Sequence, residues 1–360
     1  MNKSKLAIIL PCNIYTAPFL HRYEEVIKQI FDDYDLIYWN RALIDEESIG
    51  NQIRLNLQDK VNSGKWIKII KYIKFGRFVK KNLMRNKYEK IIVLGSYAGI
   101  MYQLSRILEK YYKNCYWLDI RDYTFENFRF YYNGMGKVIR SSYATAISSK
   151  GYKKFLPNYN YVIAHNIDYK NIENAKKSKL DPVKFERIRI SFIGLVRYYE
   201  ENIKLLEALR NDDRYVINYF GMNSDFLKDY CIKNNIANVN FHGRFDPSKT
   251  AYFYTETDII NNIYGNEDIA LTTALSNKLY YSVFLNIPIL VSPNTYMEEI
   301  ATENGIGYTV DWNADHLGDD LYEWFQNFNI NKRNRSDKLK ESILEEDEKF
   351  EIELINFLRK

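Results

Sequence analysis

Residues 257–312 read TDIINNIYGNEDIALTTALSNKLYYSVFLNIPILVSPNTYMEEIATENGIGYTVDW. A short apolar strand is predicted over 259–263, followed by a polar loop. The tetrad Asn277-Lys278-Leu279-Tyr280 then opens an apolar helix. A second strand over 288–291 ends in Ser292-Pro293, and a third follows Gly305 and Gly307. Polar residues gather where these strands end, and a helix begins beside them. That is the sequence form of a ligand crevice at the carboxyl edge of a parallel sheet.

Alternation of strands and helices extends outward from this stretch in both directions. Apolar runs are predicted as strands at 6–10, 35–39, 90–95, 114–118, 145–147 and 161–164, with helical patterns between them. A polar, lysine-rich stretch at 168–186 reads as a linker. The pattern restarts at 188–193 and continues through 215–220 and 239–241. Strands alternating with helices imply βαβ units, an α/β class and parallel sheets.

The order resembles the nucleotide-sugar half of GT-B glycosyltransferases, most closely family 4. There a proline or serine precedes Asn-Lys-Leu-Tyr, a glutamate, a short apolar helix, Gly-x-Pro and an apolar strand. This chain has Ser276, then Asn277 to Tyr280, Tyr281, Asn286 and Pro288. Tyr281 stands where the family has the glutamate that binds the donor ribose, and Asn286 stands where glycine is usual. The resemblance implies two Rossmann-like domains facing each other across a cleft. Their expected bounds are 1–170 for the acceptor domain, a linker at 171–187, and 188–335 for the nucleotide-sugar domain. A C-terminal helix over 336–360 is expected to pack back onto the first domain.

Composition is compatible with this plan. The chain has 360 residues, 46% of them hydrophobic, enough for two cores. Its 32 tyrosines fit a coding bias and carry little functional weight here. Cys12, Cys115 and Cys231 are far apart, without metal-ligand spacing, which fits a reducing, cytoplasmic setting. The apolar run at 6–10 is too short for a signal peptide, and no run of about 18 apolar residues spans a membrane.

Chemistry is expected at three places. At the start of the second half, Gly194 follows a strand and lets backbone N–H groups approach a phosphate, while Arg197 adds a charge-assisted donor. The alternative is a tight turn with a surface arginine. Lys278 reads as a second phosphate contact, with the resemblance, or as a solvated lysine without it. Glu267 and Asp268 are candidates for donor hydroxyls, and Ser276, Asn277 and Tyr281 for weaker polar contacts.

In the first half, Asp119-Ile120-Arg121-Asp122 follows a strand, and the resemblance places it at the cleft. Asp119 or Asp122 would orient an acceptor hydroxyl or act as base. An Asp–Arg pair that merely fixes the loop is equally compatible. His165 is a candidate base or a structural strand-end histidine.

The third place is residues 65–90, KWIKIIKYIKFGRFVKKNLMRNKYEK, with net charge +9 against +5 for the whole chain, so the remainder carries −4. At about 100° per residue, Trp66, Ile69, Ile70 and Ile73 share one side, with Lys68, Lys71 and Tyr72 opposite. Docking on an anionic membrane through 65–87, or a core-facing helix with a solvated basic back, both fit. Nucleic acid is not expected, since no recognition motif accompanies the patch.

The resemblance implies a metal-independent transferase of hexosyl type with no cofactor beyond a UDP-linked sugar as co-substrate. Its acceptor would be a saccharide on a lipid carrier in bacterial surface (capsular) polysaccharide synthesis, reached from the inner membrane face. The only Asp-x-Asp, Asp33-Tyr34-Asp35, lies at the wrong end of a first-half strand for a donor metal. The alternative is a non-catalytic GT-B subunit that binds or activates a partner transferase at the membrane.

Overall fold

Runs such as LAIIL and KIIVL are too short for helices and apolar on both faces, the pattern of strands buried inside a parallel sheet. A computed structural model describes residues 5–59, 65–96, 102–178, 187–330 and 336–360. The chain divides into two units, Met1–Asn166 with Leu344–Lys360, and Ile167–Ile343.

The first domain runs β1 (Leu6–Leu10), α1 (Leu20–Ile27), β2 (Asp35–Asn40), β3 (Asn51–Asn56), α2 (Lys65–Asn86), β4 (Lys90–Leu94), α3 (Tyr102–Tyr111), β5 (Tyr116–Ile120), α4 (Arg129–Ser141), β6 (Ala144–Ile147) and β7 (Val162–Ile163). Its seven strands are parallel in the order β3-β2-β1-β4-β5-β6-β7. Chain direction across the sheet reverses next to β1, so the carboxyl edge there is a topological switch point.

Strand β3 is the element that the sequence reading misses. NQIRLN is an edge strand whose side chains stay largely in solvent, so its polar residues outnumber the half-buried Ile53 and Leu55.

The second domain runs α5 (Tyr169–Ser178), β8 (Ile188–Ile193), α6 (Tyr199–Ala208), β9 (Tyr215–Phe220), α7 (Asp225–Lys233), β10 (Val239–Gly243), α8 (Thr250–Thr255), β11 (Ile259–Asn262), α9 (Ile269–Thr273), α10 (Asn277–Leu285), β12 (Ile289–Val291), α11 (Tyr296–Glu303), β13 (Gly307–Thr309) and α12 (Leu317–Ile330). Its six strands are parallel in the order β10-β9-β8-β11-β12-β13. The expected linker at 168–186 is in part helical, since α5 occupies Tyr169–Ser178; residues 179–186 lie outside the described set.

The last helix, α13 (Asp337–Arg359), contributes to both cores. Ile343 lies in the second domain's core, while Phe350, Leu354, Phe357 and Leu358 lie in that of the first. Phe350 meets Tyr23 and Trp117 edge-on at 5.4 and 5.7 Å.

The orientation of α2 corrects the helical-wheel expectation. Tyr72, Phe75, Val79 and Leu83 are the buried face, with Tyr72 and Phe75 against Trp39 at 5.3 and 5.9 Å. Ile67, Ile70, Ile73 and Met84 are exposed. The helix continues through Gly76, because one helical glycine costs only about 1 kcal/mol. Lys71 pairs with Asp59 at 2.7 Å.

Candidate functional site

At the carboxyl edge of the second sheet, β8 runs straight into a strained turn. Gly194 has φ +127°, and the space where its Cβ would stand is open. Gly221, at φ +146°, crosses so close that a Cβ there would fall 1.7 Å from the Gly194 carbonyl oxygen. Only glycine allows this backbone approach. Tyr198 then adopts the left-handed conformation, φ 57°, ψ 57°, ahead of α6.

Asn202 holds that turn. Its Nδ2 donates to the carbonyls of Arg197 and Tyr198, both at 3.1 Å. Its Oδ1 accepts from Tyr219 Oη at 3.0 Å and Asn261 Nδ2 at 3.2 Å. The buried amide is thereby saturated, two donors and two acceptors. Arg197 itself is exposed.

Lys278 differs from every expectation of a solvated lysine. It opens α10, yet it is only 6% exposed. Its Nζ donates to Tyr264 Oη at 2.5 Å and lies over the rings of Phe192 and Tyr264 at 4.2 and 4.9 Å. No carboxylate pairs with it among the described residues. Burying an ammonium without an anion is costly, and ring faces offset only part of that cost. The helix N-terminus adds further positive potential at the same spot.

The neighbouring candidates divide by what they already hold. Ser276 caps α10 by accepting from the Lys278 N–H at 3.3 Å. Asp268 caps α9 through the Leu271 N–H at 2.8 Å. Asn277 is exposed at the first position of α10. Glu267 lines an open cleft of about 440 Å³ with Tyr198, Tyr199, Glu200, Glu201, Ile203 and Phe226. Glu201 is buried and held by Trp312 Nε1 at 3.0 Å and by Lys204.

Tyr281 turns toward the core. Its ring stacks on Tyr254 with centroids 3.8 Å apart, and burial pushes its phenol well above the usual range.

Tyr264, Asn202 and Ser292 are absent from the sequence-based candidates. Ser292 Oγ accepts the N–H groups of Tyr264 and Gly265 at 3.1 and 2.8 Å and so fixes the loop after β11. A tyrosine directly after a strand inside the deciding stretch was a usable signal for Tyr264. A chain so rich in tyrosine obscures it.

In the first domain the corresponding edge is closed by internal pairs. Asp119 is fully buried and accepts from Tyr23 Oη at 2.6 Å and Arg121 Nε at 2.9 Å. The Arg121 guanidinium also covers the Phe19 ring at 4.1 Å. Burial opposes its charge, but Asp119 and Tyr23 together more than offset this and raise its pKa. A base needs access to a substrate proton, so Asp119 acts here as the anchor of Arg121. Asp122 is exposed. Past it, Glu126 accepts the Thr124 N–H at 2.7 Å, and Thr124 Oγ1 meets Ser96 Oγ at 2.8 Å. His165 bonds Glu346 at 2.9 Å and is 5% exposed, a structural placement.

No protein-family model matches the chain, and no curated protein matches its sequence. Solved structures do match its fold. Sucrose-phosphate synthase from Thermosynechococcus elongatus superposes with a TM-score of 0.65 at 9% identity, covering 99% of this chain and 94% of that one. This is the GT-B fold. Anabaena HepE, solved in complex with UDP, matches at TM-score 0.64 and 9% identity over 96% of this chain and 98% of its own. A UDP-GlcNAc 2-epimerase from Neisseria meningitidis, bound to UDP-GlcNAc, matches at 0.58 and 13% identity over 94% and 100%. Other matched structures are glycosyltransferases, while the UDP and the UDP-sugar are bound to HepE and to the epimerase.

Proposed function

We propose that this chain is a glycosyltransferase that takes a sugar from a UDP-linked donor and passes it to a saccharide acceptor. The observation that carries this is Lys278: a buried ammonium with no carboxylate partner among the described residues, at a helix N-terminus on the carboxyl edge of a parallel sheet. A donor diphosphate would supply the missing anion. Arg197 and the Gly194 turn stand at the neighbouring strand end, so charge on the departing phosphate would be met by side chains and a helix dipole, with no metal. Glu267 would accept donor hydroxyls. Asp122 would orient the acceptor hydroxyl.

The acceptor is proposed to be lipid-linked, in bacterial surface polysaccharide synthesis, with the protein docked on anionic lipid at the inner face. Support comes from α2, whose outward face mixes Ile67, Ile70, Ile73 and Met84 with Lys74, Arg77, Lys80 and Lys81. No helix among the described residues is long and apolar enough to cross a membrane.

One observation favours a second proposal, a non-catalytic subunit that binds nucleotide and activates a partner. Tyr281 replaces a carboxylate and faces the core, so it offers the donor ribose no charged acceptor. Incubating the purified protein with a panel of UDP-sugars separates the two. Release of UDP, even slow hydrolysis, supports the transferase; UDP binding without any release supports the subunit; absence of UDP binding overturns both.

A further inference from the structure

The bond between Lys278 and Tyr264 has a direction, and that direction leaves a proton unassigned. An ammonium has only donors, so the Tyr264 oxygen must accept in the 2.5 Å contact. The phenol's own O–H must then point to a different acceptor. Among the described residues none takes it. The ring is pinned against Tyr198 at 5.4 Å and Phe192 at 5.9 Å, and its backbone N–H is held by Ser292. The hydroxyl is thus presented at the sheet edge beside a cation, with its proton available.

We propose that Tyr264 is a direct hydrogen-bond donor to the same anion as Lys278, the outer phosphate of a nucleoside diphosphate. This rests on the donor-site reading of Lys278. Polarised by the ammonium that donates to it, the phenol becomes a stronger donor. Phosphate and phenol then share one cation, so the lysine need not leave its aromatic seat when the ligand arrives.

The test is UDP and UMP affinity by calorimetry for wild type, Tyr264→Phe, Lys278→Met and the double variant. Tyr264→Phe keeps the ring and removes one oxygen. We expect UDP to bind about 10-fold more weakly to it, as for loss of a hydrogen bond to a charged group, with UMP affinity unchanged. In the Lys278→Met background the tyrosine change should still cost several-fold.

Disappearance of the effect in that background would mean Tyr264 acts only by positioning Lys278, and would overturn the inference. An equal loss for UMP, or no loss for UDP, would overturn it too while leaving the donor site intact. Failure of wild type to bind UDP would instead remove the donor-site reading and this inference with it. Should Tyr264→Phe not fold, a ring-fluorinated tyrosine at 264 keeps the shape and makes the phenol more acidic, so that it ionises nearer neutral pH. UDP affinity should then fall as pH rises through neutrality, and a flat profile would overturn the proposal.

Discussion

Two buried cations stand near the carboxyl edges of the two sheets, and they have opposite surroundings. Arg121, in the first domain, is 8% exposed and meets Asp119 through both Nε and Nη2 at 2.9 Å. Lys278, in the second, is 6% exposed and meets two aromatic rings and a phenol. The first pair is matched in charge, although Asp119 Oδ1 and the Arg121 Nη atoms have no hydrogen-bond partner among the described residues. The second carries a positive charge that no carboxylate among the described residues neutralises. A charge-matched pair belongs to architecture, whereas an unmatched buried cation is a place for an anion.

The strongest challenge to this contrast is Asp119→Asn. It strands the Arg121 guanidinium, and urea unfolding should show a loss of about 3–5 kcal/mol. Lys278→Met, which removes a charge with no partner, should leave stability within about 1 kcal/mol of wild type or raise it. Equal losses for both would erase the distinction.

The outward face of α2 also carries positive charge, in exposed Lys74, Arg77, Lys80 and Lys81. Changing Lys74, Arg77, Lys80 and Lys81 together to Gln should weaken sedimentation with anionic vesicles, at about 1 kcal/mol per residue in low salt. Binding indifferent to lipid charge would show that this face is only solvated.

Asp122 sharpens the contrast inside the first domain, because it is the exposed carboxylate beside the buried one. Asp122→Asn should lower turnover by about 100-fold, with donor affinity and melting temperature unchanged. A fall in melting temperature instead would assign Asp122 to the loop.

On the second domain, Lys278→Met should weaken UDP binding by about 1.5–3 kcal/mol. The smallest effect is expected for exposed Arg197→Ala, about 0.5–1 kcal/mol by the same titration, because solvent screens its charge. A larger effect for Arg197 than for Lys278 would reverse the assignment of the main phosphate contact.

Much of the fold was legible in residue order. Strand runs such as Leu6–Leu10 and Ile289–Val291 are apolar on both faces, a pattern that local sequence carries without help from distant parts. The Asn-Lys-Leu-Tyr start of α10 and the glycine after β8 were legible for the same reason: caps and left-handed turns depend on neighbouring residues. Edge strand β3 was not, since its polar composition matches that of a loop.

The site was legible only as a set of candidates. Sequence order put Lys278, Arg197, Glu267 and Tyr281 on offer, but it says nothing about which way a side chain leaves its helix. Only the tertiary structure buries Lys278 against Phe192, 86 positions earlier in the chain, and turns Tyr281 into the core against Tyr254. It likewise joins Asp119 to Tyr23, 96 residues away, and closes that carboxylate off. Sequence alone determined the alternation of strands and helices, because hydrophobic period and turn chemistry are local. Which charges are satisfied and which wait for a ligand was decided by long-range packing, because solvation and pairing depend on what every distant segment places around them.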